Sequence, residues 1–227
     1  MELSDEHFAN CNYDELQRVI ISLDSTAIQE YNAKKKDKRY HLQKHMGPCP
    51  YEGNIDKAKV VLLLANPGYQ PETCQEKFPS KYSDHIRNHD HADWGIFSLH
   101  PDSNPSMRNW WILRLQELKR QSGIASWQEI SNKVAALQLN SWASEKFDSD
   151  CILPSMIILR RVAIEFSRRN VLFIACRCIN QWKINLSEIP SNRIFMLNSV
   201  MSSYITENNM SRSINGWKAI LNKINSD

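Results

Sequence analysis

Three asparagines, each directly after an apolar run, are the first candidates for chemistry in this 227-residue chain. Asn66 ends "LLLAN", Asn140 ends "LQLN" and Asn198 ends "FMLN". An asparagine amide donates and accepts hydrogen bonds without changing its charge, so it can position a water or bind the edge of a ring. Asparagine is also a common turn residue, which favours a structural role at any single position. Its recurrence after three apolar runs favours a shared site.

These apolar runs predict buried strands, because their apolar residues are continuous rather than alternating. The predicted strands cover residues 59–67, 133–142, 170–177 and 193–200. Helical patterns cover residues 14–32, 107–121, 154–169 and 211–224, with Pro154 in a first turn and Ser211 as a candidate cap. This alternation predicts an α/β three-layer sandwich with a central four-stranded, mainly parallel sheet flanked by helices. Ligands of such sheets bind at the carboxyl ends of the strands, so we expect the three asparagines to line one cleft.

The composition and the short motifs argue against several function classes. No apolar run is long enough to span a membrane, and the N-terminus lacks the features of a signal peptide, so a cytoplasmic protein without a membrane partner is expected. The glycines form neither GxGxxG nor GxxxxGK[ST], which argues against dinucleotide enzymes and P-loop NTPases. The cysteines form no CxxC pair, and the histidines of residues 84–93 match no catalytic metal motif. We therefore expect no metal and no cofactor.

Basic residues are concentrated locally, although 28 of them are balanced by 25 acidic residues. Short basic runs occur at residues 34–39, 119–120, 160–161 and 168–169. Such runs usually form solvated faces, and contact with phosphate is the less favoured interpretation. Arg177, at the exit of the third predicted strand, fits a contact with phosphate or a base as well as it fits a structural salt bridge.

Several motifs together resemble the uracil-DNA glycosylase superfamily. They are "YEGNIDKAKVVLLLANPGY", the helix start "NWW", "LQLNSW" and the segment from "LPSM" to "INQW". The resemblance spans residues 50–217 and is greatest to the mismatch-specific, thymine-DNA-glycosylase-like branch, whose first motif ends in Asn-Pro-Gly, and to uncharacterised bacterial relatives. It implies a glycosylase-like domain at residues 50–227, with residues 1–49 as a helical N-terminal extension packed on it. It also implies an enzyme that flips a nucleotide out of DNA and hydrolyses its N-glycosidic bond, leaving an abasic site.

The resemblance carries roles onto individual residues. Asn66 is similar to the residue that positions the attacking water, and Asn140 to the one that faces the Watson–Crick edge of the flipped base. Asn198 and Ser199 stand where the uracil branch has a histidine that donates to the base. Phe97 is the aromatic side chain expected to cover the base. The loop at residues 200–211 is expected to flank the minor groove, through Met201 or Tyr204 as a wedge and through Ser202, Ser203 and Asn209.

Gly68 departs from the uracil-specific pattern. In those enzymes the residue two places after the water-positioning side chain is a tyrosine that fills the space beside C5 of the pyrimidine. Glycine at this place predicts an open wall that accepts bulky 5-substituents, from thymine opposite guanine to hypermodified phage cytosines. Defence against phage DNA with modified bases fits such a pocket. The alternative is that Tyr69 closes the same space.

Two function classes fit the sequence. A DNA glycosylase acting on a damaged, mismatched or 5-modified pyrimidine is favoured over a catalytically inactive nucleic-acid-binding relative or regulator, because a fold does not guarantee chemistry. DNA is the expected partner, and no obligate protein partner is inferred. Formation of abasic sites would distinguish the two classes.

Overall fold

The structure is a computed structural model that describes residues 13–70, 93–182, 188–199, 203–213 and 215–226. Its sheet contains β1 (Tyr51–Glu52), β2 (Val60–Leu64), β3 (Val134–Gln138), β4 (Leu172–Ala175) and β5 (Ile194–Met196). The strand order is β1-β3-β2-β4-β5. The β3-β2-β4-β5 part is parallel, and β1 pairs antiparallel with β3. The predicted α/β class and its four parallel strands are confirmed, and β1 adds a fifth strand that was not predicted.

The helices of the described residues are α1 (Tyr13–Lys34), α2 (Pro105–Ser122), α3 (Trp127–Lys133), α4 (Ser155–Ser167), α5 (Ile179–Trp182) and α6 (Gly216–Ile224). Helix α2 has clear boundary signals, because the Asn104 side chain caps its first turn and Gly123 ends it with a φ of 73°. None of the helices that the structure describes combines the length and apolar character needed to cross a bilayer.

The predicted start of the last helix, at residue 211, is wrong. Helix α6 begins at Gly216, after Asn215 with its φ of 59°. Ser211 does not cap it, because the Ser211 hydroxyl instead accepts a hydrogen bond from Asn198 Nδ2 at 2.8 Å. Ser213 N donates to Met210 O, and Gly216 N donates to Ser213 O, so the described residues just before α6 form turns rather than a helix.

Alternating strand side chains build one core on each side of the sheet. Val61 and Leu63 of β2 pack against α1 and α4, in the first core. Val60, Leu62 and Leu64 pack against α2, α3 and α6, in the second core. The sheet is therefore the middle layer of three, as predicted, and its two faces are covered by different helices.

The N-terminal segment forms part of an outer layer of this sandwich. Helix α1 contributes Leu16, Ile20 and Ile28 to the same core as strands β2 and β3. Its Asp24 is fully buried and accepts hydrogen bonds from Ser155 N, Ser155 Oγ and Trp142 Nε1 at 3.0, 2.6 and 2.8 Å. Burial raises the pKa of the Asp24 carboxyl, and the hydrogen bonds oppose that rise. The carboxyl thus fastens α1 to the start of α4.

Candidate functional site

A cavity of about 150 Å³ opens at the carboxyl ends of β2 and β3, against the first turns of α2. It lies on the face of the sheet that packs against α2, and half-buried Arg177, which follows β4, forms part of its wall. The position is the one expected for the ligand site of a parallel sheet. The residues that line it are Cys49, Glu52, Leu64, Ala65, Asn66, Pro67, Gly68, Gln70, Ser106, Met107, Trp110, Trp111, Gln138, Arg177 and Ser203.

Asn66 lies in the cavity wall with its side-chain amide held in one orientation. Its Nδ2 donates to Ser144 Oγ at 2.8 Å and to Pro67 O at 3.0 Å. Pro67 O can only accept, and Ser144 Oγ uses its hydrogen to bond Lys146 O at 2.8 Å, so both positions require a donor from Asn66. The amide nitrogen is therefore the group that points at them. Asn66 Oδ1 is left as the acceptor that can hold a water.

The backbone around Asn66 explains this arrangement. Ser144 N donates to Pro67 O, Tyr69 N donates to Ser144 O, and Gly68 pairs with Ser144 in a parallel bridge. The Asn-Pro-Gly-Tyr segment thus continues along residue 144 after β2 has ended. This pairing brings the Ser144 hydroxyl to the Asn66 amide.

Glu52 supplies a buried carboxyl to the same cavity. It faces α2 because it pairs with Ala136, whose side chain belongs to that core. Its Oε1 accepts from Ser98 N at 2.8 Å, and the Trp111 side chain also hydrogen-bonds the carboxyl. Burial raises the pKa of Glu52 against the lowering effect of these hydrogen bonds. A carboxyl that keeps its proton to higher pH can donate a hydrogen bond as well as accept one.

Gln138 is the second polar group beside the sheet. It is the last residue of β3, two positions after Ala136, so it shares the face that carries Glu52. Its Oε1 is buried and has no hydrogen-bond partner among the residues that the structure describes. Leaving a buried acceptor unbonded costs about 1–3 kcal/mol, so a donor brought by a ligand would be favoured there.

Two tryptophans of α2 form the aromatic part of the wall. The Trp110 and Trp111 rings meet edge to face, with centroids 5.1 Å apart. Trp110 is half-buried, and the guanidinium of Arg114 stacks on its ring, with Cζ 3.9 Å from the ring centroid. An aromatic wall next to polar groups is the usual composition of a site for a flat ring.

The structure shows open space beside Gly68. Apart from its two chain neighbours, no described residue has a heavy atom within 4 Å of a Cβ built at Gly68, and the φ of Gly68 lies outside the left-handed region. A larger side chain therefore fits this backbone. Tyr69 does not line the cavity in the described part of the chain, and instead packs edge to face with His45, at a centroid distance of 5.8 Å. The arrangement agrees with an open wall rather than with closure by Tyr69.

The other two asparagines do not join Asn66 in this cavity wall, as the described residues define it. Asn140 is 2% exposed, and its Oδ1 accepts from Trp142 N at 2.9 Å, which makes it a turn former. Asn198 Nδ2 donates to Asn208 O and Ser211 Oγ at 2.7 and 2.8 Å, while its Oδ1 accepts from Arg212 N. Both amides thus hold the chain in a turn or loop after a strand. The prediction that the three asparagines line one cleft is wrong.

The remaining predicted site residues fall into four groups. Phe97 is buried and stacks on His100 away from the described cavity lining, with centroids 5.5 Å apart. Ser199 N donates to Asn209 Oδ1, and Asn209 Nδ2 donates to Tyr204 O, so these residues brace one loop. Ser203 lines the cavity and Tyr204 is 38% exposed beside it. Met201 and Ser202 lie outside the described residues.

Sequence reasoning missed Glu52, Gln138, Ser144, Trp110 and Arg114 as site residues. Gln138 carried a usable signal, since it is a polar residue inside the apolar run "AALQL". Trp110 was not proposed as a site residue, because Phe97 was the aromatic side chain expected to cover the base. Glu52 and Ser144 carried none, because a two-residue strand and a side-chain contact across 78 residues leave no periodic pattern.

No family model, curated protein or solved structure matches this chain.

Proposed function

We propose that this chain is a DNA glycosylase that takes a flipped pyrimidine into the cavity and hydrolyses its N-glycosidic bond. The substrate is a damaged, mismatched or 5-modified pyrimidine, and the product is an abasic site. The observation that carries the proposal is the fixed amide of Asn66, which leaves an acceptor for water in the wall of a ring-sized cavity.

The size of the cavity supports a single flat ring as its occupant. An enclosed apolar site of about 150 Å³ binds benzene, so the volume here suits one six-membered ring. Trp110 and Trp111 offer faces and edges for ring contacts, and stacking of a base on an aromatic side chain contributes about 1–3 kcal/mol. Gln138 and Glu52 offer the polar groups for the edge of the base.

The reaction requires a water at the anomeric carbon and stabilisation of the departing base. Asn66 Oδ1 accepts a hydrogen bond from the water and orients its lone pair toward that carbon. The water oxygen forms the new bond to carbon as the carbon–nitrogen bond breaks, and the base leaves with the bonding electron pair. The water loses a proton, which ends on the base or in solvent. Donors from Gln138 Nε2 and the positive charge of Arg177 stabilise the developing negative charge.

The space beside Gly68 supports 5-modified pyrimidines as substrates. A substituent on C5 needs a gap in the wall, and the described structure leaves one where a side chain would stand. In the proposed substrate range, thymine opposite guanine is the smallest member and hypermodified phage cytosine the largest. Defence against phage DNA is the biological role that fits the large members.

A catalytically inactive nucleic-acid-binding protein is the second candidate function. Glu52 is the sole carboxylate among the described residues that line the cavity, and it is buried with hydrogen bonds from Ser98 N and Trp111. The described wall thus has no solvated base to deprotonate the water. Such a site binds a flipped base whether or not it cleaves the bond.

Replacement of Asn66 by alanine tests the proposal. Asn66→Ala removes the water acceptor and should slow single-turnover formation of abasic sites by about 100-fold or more, with little change in DNA binding. The assay uses duplexes and single strands carrying uracil, thymine opposite guanine, 5-hydroxymethylcytosine and glucosylated 5-hydroxymethylcytosine.

The control is Asn222→Ala, which changes an exposed asparagine on α6 and should keep the wild-type rate. Binding of these DNAs by wild type without any abasic sites would reject the glycosylase and support the inactive binding protein. Equal cleavage by wild type and Asn66→Ala would show that Asn66 does not position the water.

A further inference from the structure

One charged group next to the cavity has no role in the chemistry described so far. Arg114, on α2, is partly buried and forms no ion pair with any carboxylate of the described residues. Burial has the largest effect on the pKa of its guanidinium and lowers it; Tyr204 opposes this effect, and nearby Arg177 lowers the pKa further as a like charge. A buried cation without a counterion is costly, and a like charge nearby adds to that cost.

The guanidinium is held rigidly despite this cost. Its Cζ lies 3.9 Å from the Trp110 ring centroid and 5.4 Å from that of Tyr204. Arg114 Nε donates to Ser203 Oγ at 3.3 Å, and Nη1 donates to Trp110 O at 3.2 Å. The other N–H groups of its planar fork take part in no hydrogen bond to the described residues.

Ser203 adds a second donor at the same place. It is 2% exposed, lines the cavity, and accepts the Arg114 Nε–H through its Oγ, so its own hydrogen points elsewhere. Ile205 N donates to Arg114 O at 2.9 Å, which fixes the loop after Ser203 to helix α2. These hydrogen bonds fix the positions of the Arg114 and Ser203 side chains beside the cavity.

We propose that Arg114 and Ser203 form a seat for a backbone phosphate of the nucleotide whose base enters the cavity. A phosphate oxygen accepts from the unused N–H groups of Arg114 and from the Ser203 hydroxyl. The anion supplies the missing negative charge, and it relieves the repulsion between Arg114 and Arg177. The choice of a nucleotide phosphate rests on the proposed function, because the seat adjoins a cavity sized for one base.

Salt dependence of DNA binding tests the seat directly. Each phosphate contact with a single strand contributes about −0.7 to the slope of log K against log salt concentration. Arg114→Gln should reduce the magnitude of the slope by about 0.7 on a labelled single-stranded oligonucleotide carrying a stable abasic-site analogue. The matched control is Arg18→Gln, an exposed arginine on α1 in the opposite layer, which should keep the wild-type slope.

A second variant separates loss of the phosphate contact from loss of structure. Arg114→Lys keeps the charge and should keep the slope near its wild-type value, even if binding weakens because the planar stack on Trp110 is lost. An unchanged slope in Arg114→Gln, with an unfolding midpoint like that of wild type, overturns the seat. The seat is also overturned if the salt slope of Arg18→Gln falls by as much as that of Arg114→Gln.

The abasic-site assay and the salt slope together distinguish a failure of the phosphate seat from a failure of the proposed function. If wild type forms no abasic sites while Arg114→Gln still lowers the slope, the glycosylase fails and the phosphate seat stands. If wild type cleaves and the slope is unaffected by Arg114→Gln, the glycosylase stands and the seat fails.

Discussion

Ser144 should control catalysis through the orientation of Asn66. In the described structure Ser144 Oγ accepts from Asn66 Nδ2 at 2.8 Å and donates to Lys146 O at the same distance. Ser144→Ala removes this acceptor and leaves Pro67 O, at 3.0 Å, to hold the amide. The amide then gains rotational freedom, and its Oδ1 spends less time where it can hold the water.

The size of the effect follows from one hydrogen bond. A neutral hydrogen bond contributes about 0.5–1.5 kcal/mol, and losing that much positioning energy in the transition state slows the reaction by about 2- to 13-fold. This is smaller than the loss of about 100-fold or more expected for Asn66→Ala, because Ser144→Ala leaves the amide in place. Single-turnover abasic-site formation, well below the unfolding temperature, measures both variants.

The double variant gives the sharper result. If Ser144 acts only through Asn66, Asn66→Ala with Ser144→Ala should react at the rate of Asn66→Ala alone, to within about 0.5 kcal/mol. Ser141→Ala is the matched control, since Ser141 is fully buried nearby and its Oγ has no hydrogen-bond partner among the described residues. The reasoning is refuted if Ser144→Ala reacts at the wild-type rate, or if its loss multiplies with that of Asn66→Ala.

Two other substitutions test the open wall and the buried carboxyl of the outer layer. Gly68→Tyr fills the space beside the cavity, so it should lower cleavage of 5-substituted pyrimidines relative to uracil by about 10- to 200-fold. Equal loss on all bases in parallel single-turnover assays would contradict the open wall. Asp24 has a pKa raised by burial, so the folded state binds its proton more tightly than the unfolded state. Its contribution to stability is complete below the ordinary pKa of 3.8 and is lost as pH rises through the raised value. The stability of Asp24→Asn should therefore decline less than that of wild type as pH increases, in urea unfolding from about pH 4 to pH 8, while the exposed control Asp56→Asn should follow wild type.

The parallel strands of this fold could be predicted because each consists mainly of consecutive apolar residues. Both faces of β2 are covered, so Val60 to Leu64 are all apolar, and the run is visible without knowledge of its partners. The two-residue β1 has no such pattern, since its place depends on pairing with β3, more than 80 residues away. Local sequence signals therefore predicted the three layers. The position of β1 depends on pairing with residues that are distant in the sequence, so it could not be predicted.

Asn66 could be predicted as a site residue because the direction of β2 continues past the end of the strand. Asn66 keeps the face of Leu62 and Leu64, and it lines the cavity with Leu64. Asn140 is two residues after Gln138, so continued alternation would have put both on one face. The strand ends at Gln138, and Asn140 bonds its own turn instead. In β3, therefore, the last residue of the strand, Gln138, lines the cavity, and Asn140 does not.

The attachment of α1 to α4 has a consequence during synthesis. Asp24 and Ser155 are 131 residues apart, so at about 5–20 residues per second the ribosome reaches Ser155 roughly 7 to 26 s after Asp24. Throughout that interval the apolar stripe of Tyr13, Leu16, Ile20 and Ile28 has no completed surface to cover it. A helix gains most of its stability from such packing. Helix α1 is thus synthesised before the other described helices but is among the last to be secured, and its apolar stripe is available to a nascent-chain chaperone during that interval.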